Sequence, residues 1–147
     1  MLSKKAKYGI RAVLALAKNH EKGPMRIADL AENEAIPKKF LEFILLELRN
    51  SGILHSLKGK GGGYVLGREL NAISMGEIIR VLDGPLAPVP CVSETAYRKC
   101  EDCLDERTGS IRVVMKSVRD SIAEILDGTS LNSLLKISKK IEAEIKR

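Results

Sequence analysis

The chain has 147 residues, 44% of them apolar, with a net charge of +6 and neither a tryptophan nor more than five aromatic side chains. That apolar fraction is ordinary for a folded protein and argues against a disordered chain, and the scarcity of aromatics requires a core of Leu, Ile, Val and Ala. Its length allows one domain, or a small domain with a helical extension.

The charge is uneven. Residues 1–68 carry 13 Lys/Arg against 6 Asp/Glu, whereas residues 69–147 carry 12 against 13. A basic head on a neutral second half fits a polyanion-binding module joined to something else, although a solvated basic surface gives the same count. Arg11, Lys18 and three early lysines interrupt any signal-peptide run, and no segment approaches the ~20 apolar residues of a membrane span. The expected location is the cytoplasm, where three cysteines favour metal binding or reactivity over disulfides.

In chain order, Ile10, Val13, Leu14 and Ala17 form the apolar stripe of a helix over Lys4–His20, closed by Gly23-Pro24. Ile27, Leu30 and Ala31 mark a short helix from Arg26 to about Glu34. After the tight link Ala35-Ile36, Pro37 suits the first turn of a third helix, which runs to about Asn50 with Leu41, Ile44, Leu45 and Leu48 inward. Ser51-Gly52 stops it. Two helices across a short turn read as a helix-turn-helix, with the second as recognition helix; the alternative is a plain helical hairpin.

Ile53–Leu57 and Gly63–Leu66 read as strands joined by the glycine- and lysine-rich tip Lys58-Gly59-Lys60-Gly61-Gly62. A recognition helix followed by a cationic hairpin is a winged helix, a DNA-gripping arrangement. The tip lacks the order G-x-x-x-x-G-K-[ST] and opens no G-x-G-x-x-G turn, so it is not a nucleotide loop. Lys38, Lys39, Glu42 and Arg49 would face the major groove. Lys58 and Lys60 would approach phosphates or the minor groove, with Lys4, Lys5 and Lys7 adding backbone contacts.

Ser74 caps a helix over Met75–Leu82, with Glu77 placed to complete a capping box. Asp83-Gly84-Pro85 breaks it, and an extended Pro-rich stretch leads to the cysteines. Beyond them Ile111, Val114, Met115, Val118, Ile122, Ile125 and Leu126 form an apolar seam that exceeds the head's own needs. Pairing with a second copy is the favoured use of the seam, because helix-turn-helix proteins read paired half-sites; packing on its own domain is the other. A last helix spans about Leu131–Lys146. The expected fold is mainly α with a small two-stranded β wing: a winged helix-turn-helix head over residues 1–84, a cysteine loop over 85–106, and dimerisation and C-terminal helices over 107–147.

Cys91, Cys100 and Cys103 fall within 13 residues. Clustered thiolates are soft ligands suited to iron–sulfur clusters or zinc, and Glu106 is the nearest fourth ligand. Idle thiols and a metal-free thiol switch are the alternatives. No His/carboxylate/nucleophile constellation supports an enzyme; an adaptor that binds a partner protein through its head or long helix is the second function class.

The chain resembles the Rrf2 family of bacterial transcription regulators over nearly its whole length. The resemblance is carried by Ser3-Lys4-Lys5-Ala6-Lys7-Tyr8, Phe40-Leu41-Glu42, Leu48-Arg49-Asn50-Ser51-Gly52, Gly61-Gly62-Gly63-Tyr64-Val65-Leu66-Gly67, Ile73-Ser74-Met75-Gly76-Glu77-Ile78-Ile79 and Thr129-Ser130-Leu131. It implies a homodimeric winged helix acting on a palindromic operator, as a repressor that senses redox state or nitric oxide. In its cluster-binding members three loop cysteines hold the iron–sulfur group, 2Fe-2S or 4Fe-4S. Cys91 and Cys103 match the outer pair, whereas Ala96-Tyr97 stand where the middle one falls and Cys100 is displaced. Glu106 occupies the position of a histidine in those members. Other members lack the cluster and imply control by thiol redox state or a regulatory partner protein.

Overall fold

The computed structural model describes residues 2–99, 101, 105 and 107–147. Helix α1 (Lys4–Lys18) begins where the Ser3 hydroxyl accepts a hydrogen bond from the Ala6 amide at 3.0 Å, satisfying one of the amides a helix start leaves unpaired. Asp83 takes the Ser3 amide (3.0 Å) and hydroxyl, tying this start to the end of a later helix. Helix α1 ends at Lys18, two residues before the end the sequence predicts.

Helix α2 (Ile27–Glu34) and helix α3 (Lys38–Asn50) form the helix-turn-helix. Between them Ala35 turns left-handed at φ 51°, and the Ile36 amide donates to the Ala31 carbonyl at 2.9 Å. Pro37 caps α3 from just outside instead of occupying its first turn. Leu41, Ile44, Leu45 and Leu48 are fully buried, as their spacing predicts.

Strands β1 (Leu54–Leu57) and β2 (Gly63–Leu66) pair antiparallel, Leu54 opposite Leu66 and Leu57 opposite Gly63. Ile53, predicted as the first strand residue, precedes the ladder but is buried, and its carbonyl accepts from the Gly67 amide at 2.8 Å. Met25 adds a bridge outside the hairpin: it exchanges both backbone hydrogen bonds with Tyr64, at 3.0 and 2.8 Å. This pins the wing to the segment entering α2.

Helix α4 (Met75–Asp83) is capped by Ser74, which accepts from the Glu77 amide at 3.1 Å. The Glu77 carboxylate is taken by Arg68, so the second half of the predicted capping box goes to an ion pair. Helix α4 crosses α1 at Gly9, where a Cβ would come within 2.1 Å of the Leu82 Cδ1. After a short 3-10 turn at Pro90–Val92 and the cysteine loop come helix α5 (Ser110–Asp127) and helix α6 (Leu131–Ile145).

Helix α6 returns to the head. The Leu131 amide donates to the Ile73 carbonyl and the Met75 amide to that of Thr129, both at 2.9 Å. Leu131 is fully buried and Leu135 nearly so, both within the head's aliphatic core. Helix α5 differs: none of its residues is buried, and Ile111, Val114, Val118 and Ile125 of its seam stand exposed. No helix among the described residues is long and apolar enough to cross a membrane.

Candidate nucleic-acid interface and cysteine loop

The turn at Ala35 and the core side of α3 leave its other side to solvent. Lys38, Lys39, Glu42 and Arg49 are all exposed there. Lys38 and Glu42 lie toward the wing. With Arg26, Ala28, Ser56 and Tyr64 they line an open cleft of about 430 Å³ between the starts of α2 and α3 and the hairpin. Helix and wing therefore share one concave surface. Lys58 and Lys60 stand exposed at the tip, where Gly59 and Gly61 take φ of 93° and 81°.

The N-terminal lysines divide. Lys7 is exposed, and Lys4 lies over the Tyr8 ring at 5.8 Å. Lys5 is half-buried and its ammonium donates to Glu47 of α3 at 2.7 Å, so its first partner is protein.

Three residues of this surface are not among the contacts predicted from the sequence. Arg26 lines the cleft at the start of α2, and Phe43 and Leu46 are exposed in the middle of α3. Exposure of the last two was signalled only by their place outside the Leu41/Ile44/Leu48 stripe.

On the cysteine side, Cys91 is 2% exposed, within the Pro90–Val92 turn. This turn is held to α5 by Arg119, whose guanidinium donates to the Val92 carbonyl at 2.6 Å and pairs with Glu94 at 3.4 Å. Further along, Arg107 beside Asp105 holds that carboxyl below the usual range. Cys100, Cys103 and Glu106, the other predicted ligands, lie outside the described residues. Among the described residues no three His, Cys, Asp or Glu side chains gather as a metal site.

Helix α5 is clamped to α4 by a two-pronged ion pair: Arg80 donates to both oxygens of Asp127, at 2.6 and 2.8 Å. Hydrogen bonding from Arg80 lowers the Asp127 carboxyl from its ordinary value, against the opposing effect of burial.

Residues 2–137 match the model of a family described as "Rrf2: Iron-dependent Transcriptional regulator". The chain is 38% identical to an rrf2-like HTH-type transcriptional regulator of Rhodobacter capsulatus over 138 residues, covering 92% of each. Among solved structures it resembles CymR, the global cysteine regulator of B. subtilis, with a TM-score of 0.78 at 36% identity, covering 93% of this chain and 97% of that one. It also resembles T. potens IscR, with a TM-score of 0.77 at 30% identity, covering 96% and 90%. The rrf2-like relative and relatives named CymR and IscR are HTH-type transcriptional regulators.

Proposed function

The chain belongs to the Rrf2 family of transcriptional regulators, and from that premise we propose that it is a cytoplasmic homodimeric repressor whose grip on a palindromic operator is set by its cysteine loop. The observation that carries this reading is the shared surface of α3 and the wing, with Lys38 in the cleft and Lys58 and Lys60 exposed at the wing tip. Basic side chains at the tip position the protein on phosphates, while α3 enters the major groove to meet base edges. Glu42 accepts from a cytosine amino group and repels phosphate elsewhere. The exposed seam of α5 supports pairing with a second copy, which sets two recognition helices one DNA turn apart, about 34 Å.

Control of that spacing belongs to the loop. In donor type the chain fits an iron–sulfur group, 2Fe-2S or 4Fe-4S: Cys91, Cys100 and Cys103 would hold it, with Glu106 as fourth ligand. When bound, the group supplies a centre whose oxidation or loss answers redox state or nitric oxide. The chain's own part is mechanical. Arg119 couples the Cys91 turn to α5, so a change in the loop acts on the helix that sets the distance between heads.

A second reading, a cluster-free regulator governed by thiol oxidation or a partner protein, is favoured by the likeness to CymR. Anaerobic purification with iron and acid-labile sulfide assays separates the two. Iron, sulfide and visible absorbance, with operator affinity that changes when they are removed, support the cluster. Colourless protein that resists reconstitution leaves the thiol or partner reading. Loss of all duplex binding in either form would contradict the DNA reading itself.

A further inference from the structure

Lys39, Phe43, Leu46 and Asn50 succeed one another on α3 at steps of four, three and four residues, which places them in one stripe. The fully buried Leu41, Ile44 and Leu48 occupy the other side of the helix, so this stripe points out of the molecule. At its middle stand Phe43, 66% exposed, and Leu46, 40% exposed. Neither is needed to close the core, and large adjacent apolar side chains in water mark a contact surface.

The surroundings identify the occupant. Lys38, Lys39 and Arg49 are exposed on the same helix, a cationic frame that suits phosphates flanking a groove. Inside a major groove, the apolar feature on offer is the C5-methyl group of thymine. The other edges present hydrogen-bond donors and acceptors, which Phe and Leu cannot satisfy.

We infer that Phe43 is a specificity-determining residue that packs on the C5-methyl of a thymine in each half-site, with Leu46 extending the apolar contact. The inference rests on the DNA-binding reading above and deepens it by naming the base that the uncharged centre of α3 selects. Glu42 reads a polar edge on the wing side, and Phe43 reads a methyl on the other.

The test begins with duplexes selected by the full-length protein from a random pool. Each conserved thymine is then replaced singly by deoxyuridine, which deletes the methyl and keeps every hydrogen-bonding group. Wild-type protein should lose about three- to fivefold in affinity at one thymine per half-site, the worth of about one buried methyl. Phe43→Ala should bind the thymine and uracil duplexes alike, with an unchanged salt slope because no charge is removed. Phe43→Leu should keep part of the discrimination. Equal wild-type affinity for thymine and uracil at every position overturns the inference while leaving DNA binding intact. So does a Phe43→Ala protein that still discriminates, or one that changes oligomeric state while the wild type shows no methyl dependence; the last outcome assigns the patch to a second copy. Failure to bind any duplex overturns both readings. The wild-type measurement stands even if a variant misfolds.

Discussion

Gly63 carries a tight constraint in the wing. Its φ of 150° lies where side chains rarely go, and a Cβ there would stand 2.4 Å from the Met25 carbonyl oxygen, a backbone atom that cannot swing aside. Gly63→Ala should therefore break the Met25–Tyr64 bridge, costing more than about 1 kcal/mol in thermal or denaturant unfolding. Unchanged stability would show that the wing docks without that bridge. Lys5 makes a contrasting case. Its pair with Glu47 is 30% and 41% exposed, so Lys5→Ala should cost under about 1 kcal/mol. If Glu47 is its working partner, the salt slope of DNA binding stays as it was; a slope flatter by about 0.9 per site would return Lys5 to the phosphates. The sequence revealed which residues are charged, but not that Lys5 meets an acid 42 positions away. Phe43 and Leu46 were legible as apolar, and their exposure only through their place outside the buried stripe of α3.

Individual elements show where periodicity informs and where it stops. The buried stripe of α3 and the cap of α4 follow their local sequence closely, because spacing and N-cap chemistry are local facts. The destination of α6 is not local. Leu134, Ile137, Ile141 and Ile145 mark a stripe in the sequence, yet the last three stand exposed; Leu131 and Leu135 face the head instead, a choice set by the Ile73–Leu131 and Met75–Thr129 backbone links. Helix α5 poses the reverse situation: Ile111, Val114, Val118 and Ile125 of its stripe stand exposed, while Met115, Ile122 and Leu126 are half-buried. Val114→Lys with Val118→Lys should convert a dimer to monomers in sedimentation, with the helical circular dichroism of the head retained; an unaltered dimer would place the interface elsewhere.

The Arg80–Asp127 clamp gives α5 a pH-dependent footing. A carboxyl lowered in the folded state adds stability above the unfolded value, about 3.9, and loses it as acid protonates the folded group. Its partners are 38% and 43% exposed, so screening keeps the contribution to at most about 1 kcal/mol. Asp127→Asn should lower the melting temperature slightly at neutral pH and converge with wild type in acid well below that range. A gap that persists in acid would mean the carboxylate charge is not what the clamp uses.

On the scale of the whole molecule, the proposed function gives the basic head one task and the cysteine loop another, with α5 between them and α6 packed back on the head. The head presents α3 and the wing as one surface, and the loop meets α5 through the Arg119–Val92 hydrogen bond. Charge asymmetry and the glycine-rich tip signalled the helix-and-wing surface in the sequence. The loop was readable only as a cluster of thiols, because three cysteines state a chemistry without stating a geometry, and buried Cys91 is the described member.

The most direct test of the central claim is the salt dependence of duplex binding by wild type and by Lys58→Ala with Lys60→Ala. Each lysine seated on a phosphate contributes roughly 0.9 to the slope of log affinity against log salt. A wing on the backbone predicts weaker binding across all sequences and a slope flatter by roughly 0.9 for each such lysine replaced. An unchanged slope and affinity would remove the wing from the interface and contradict the account.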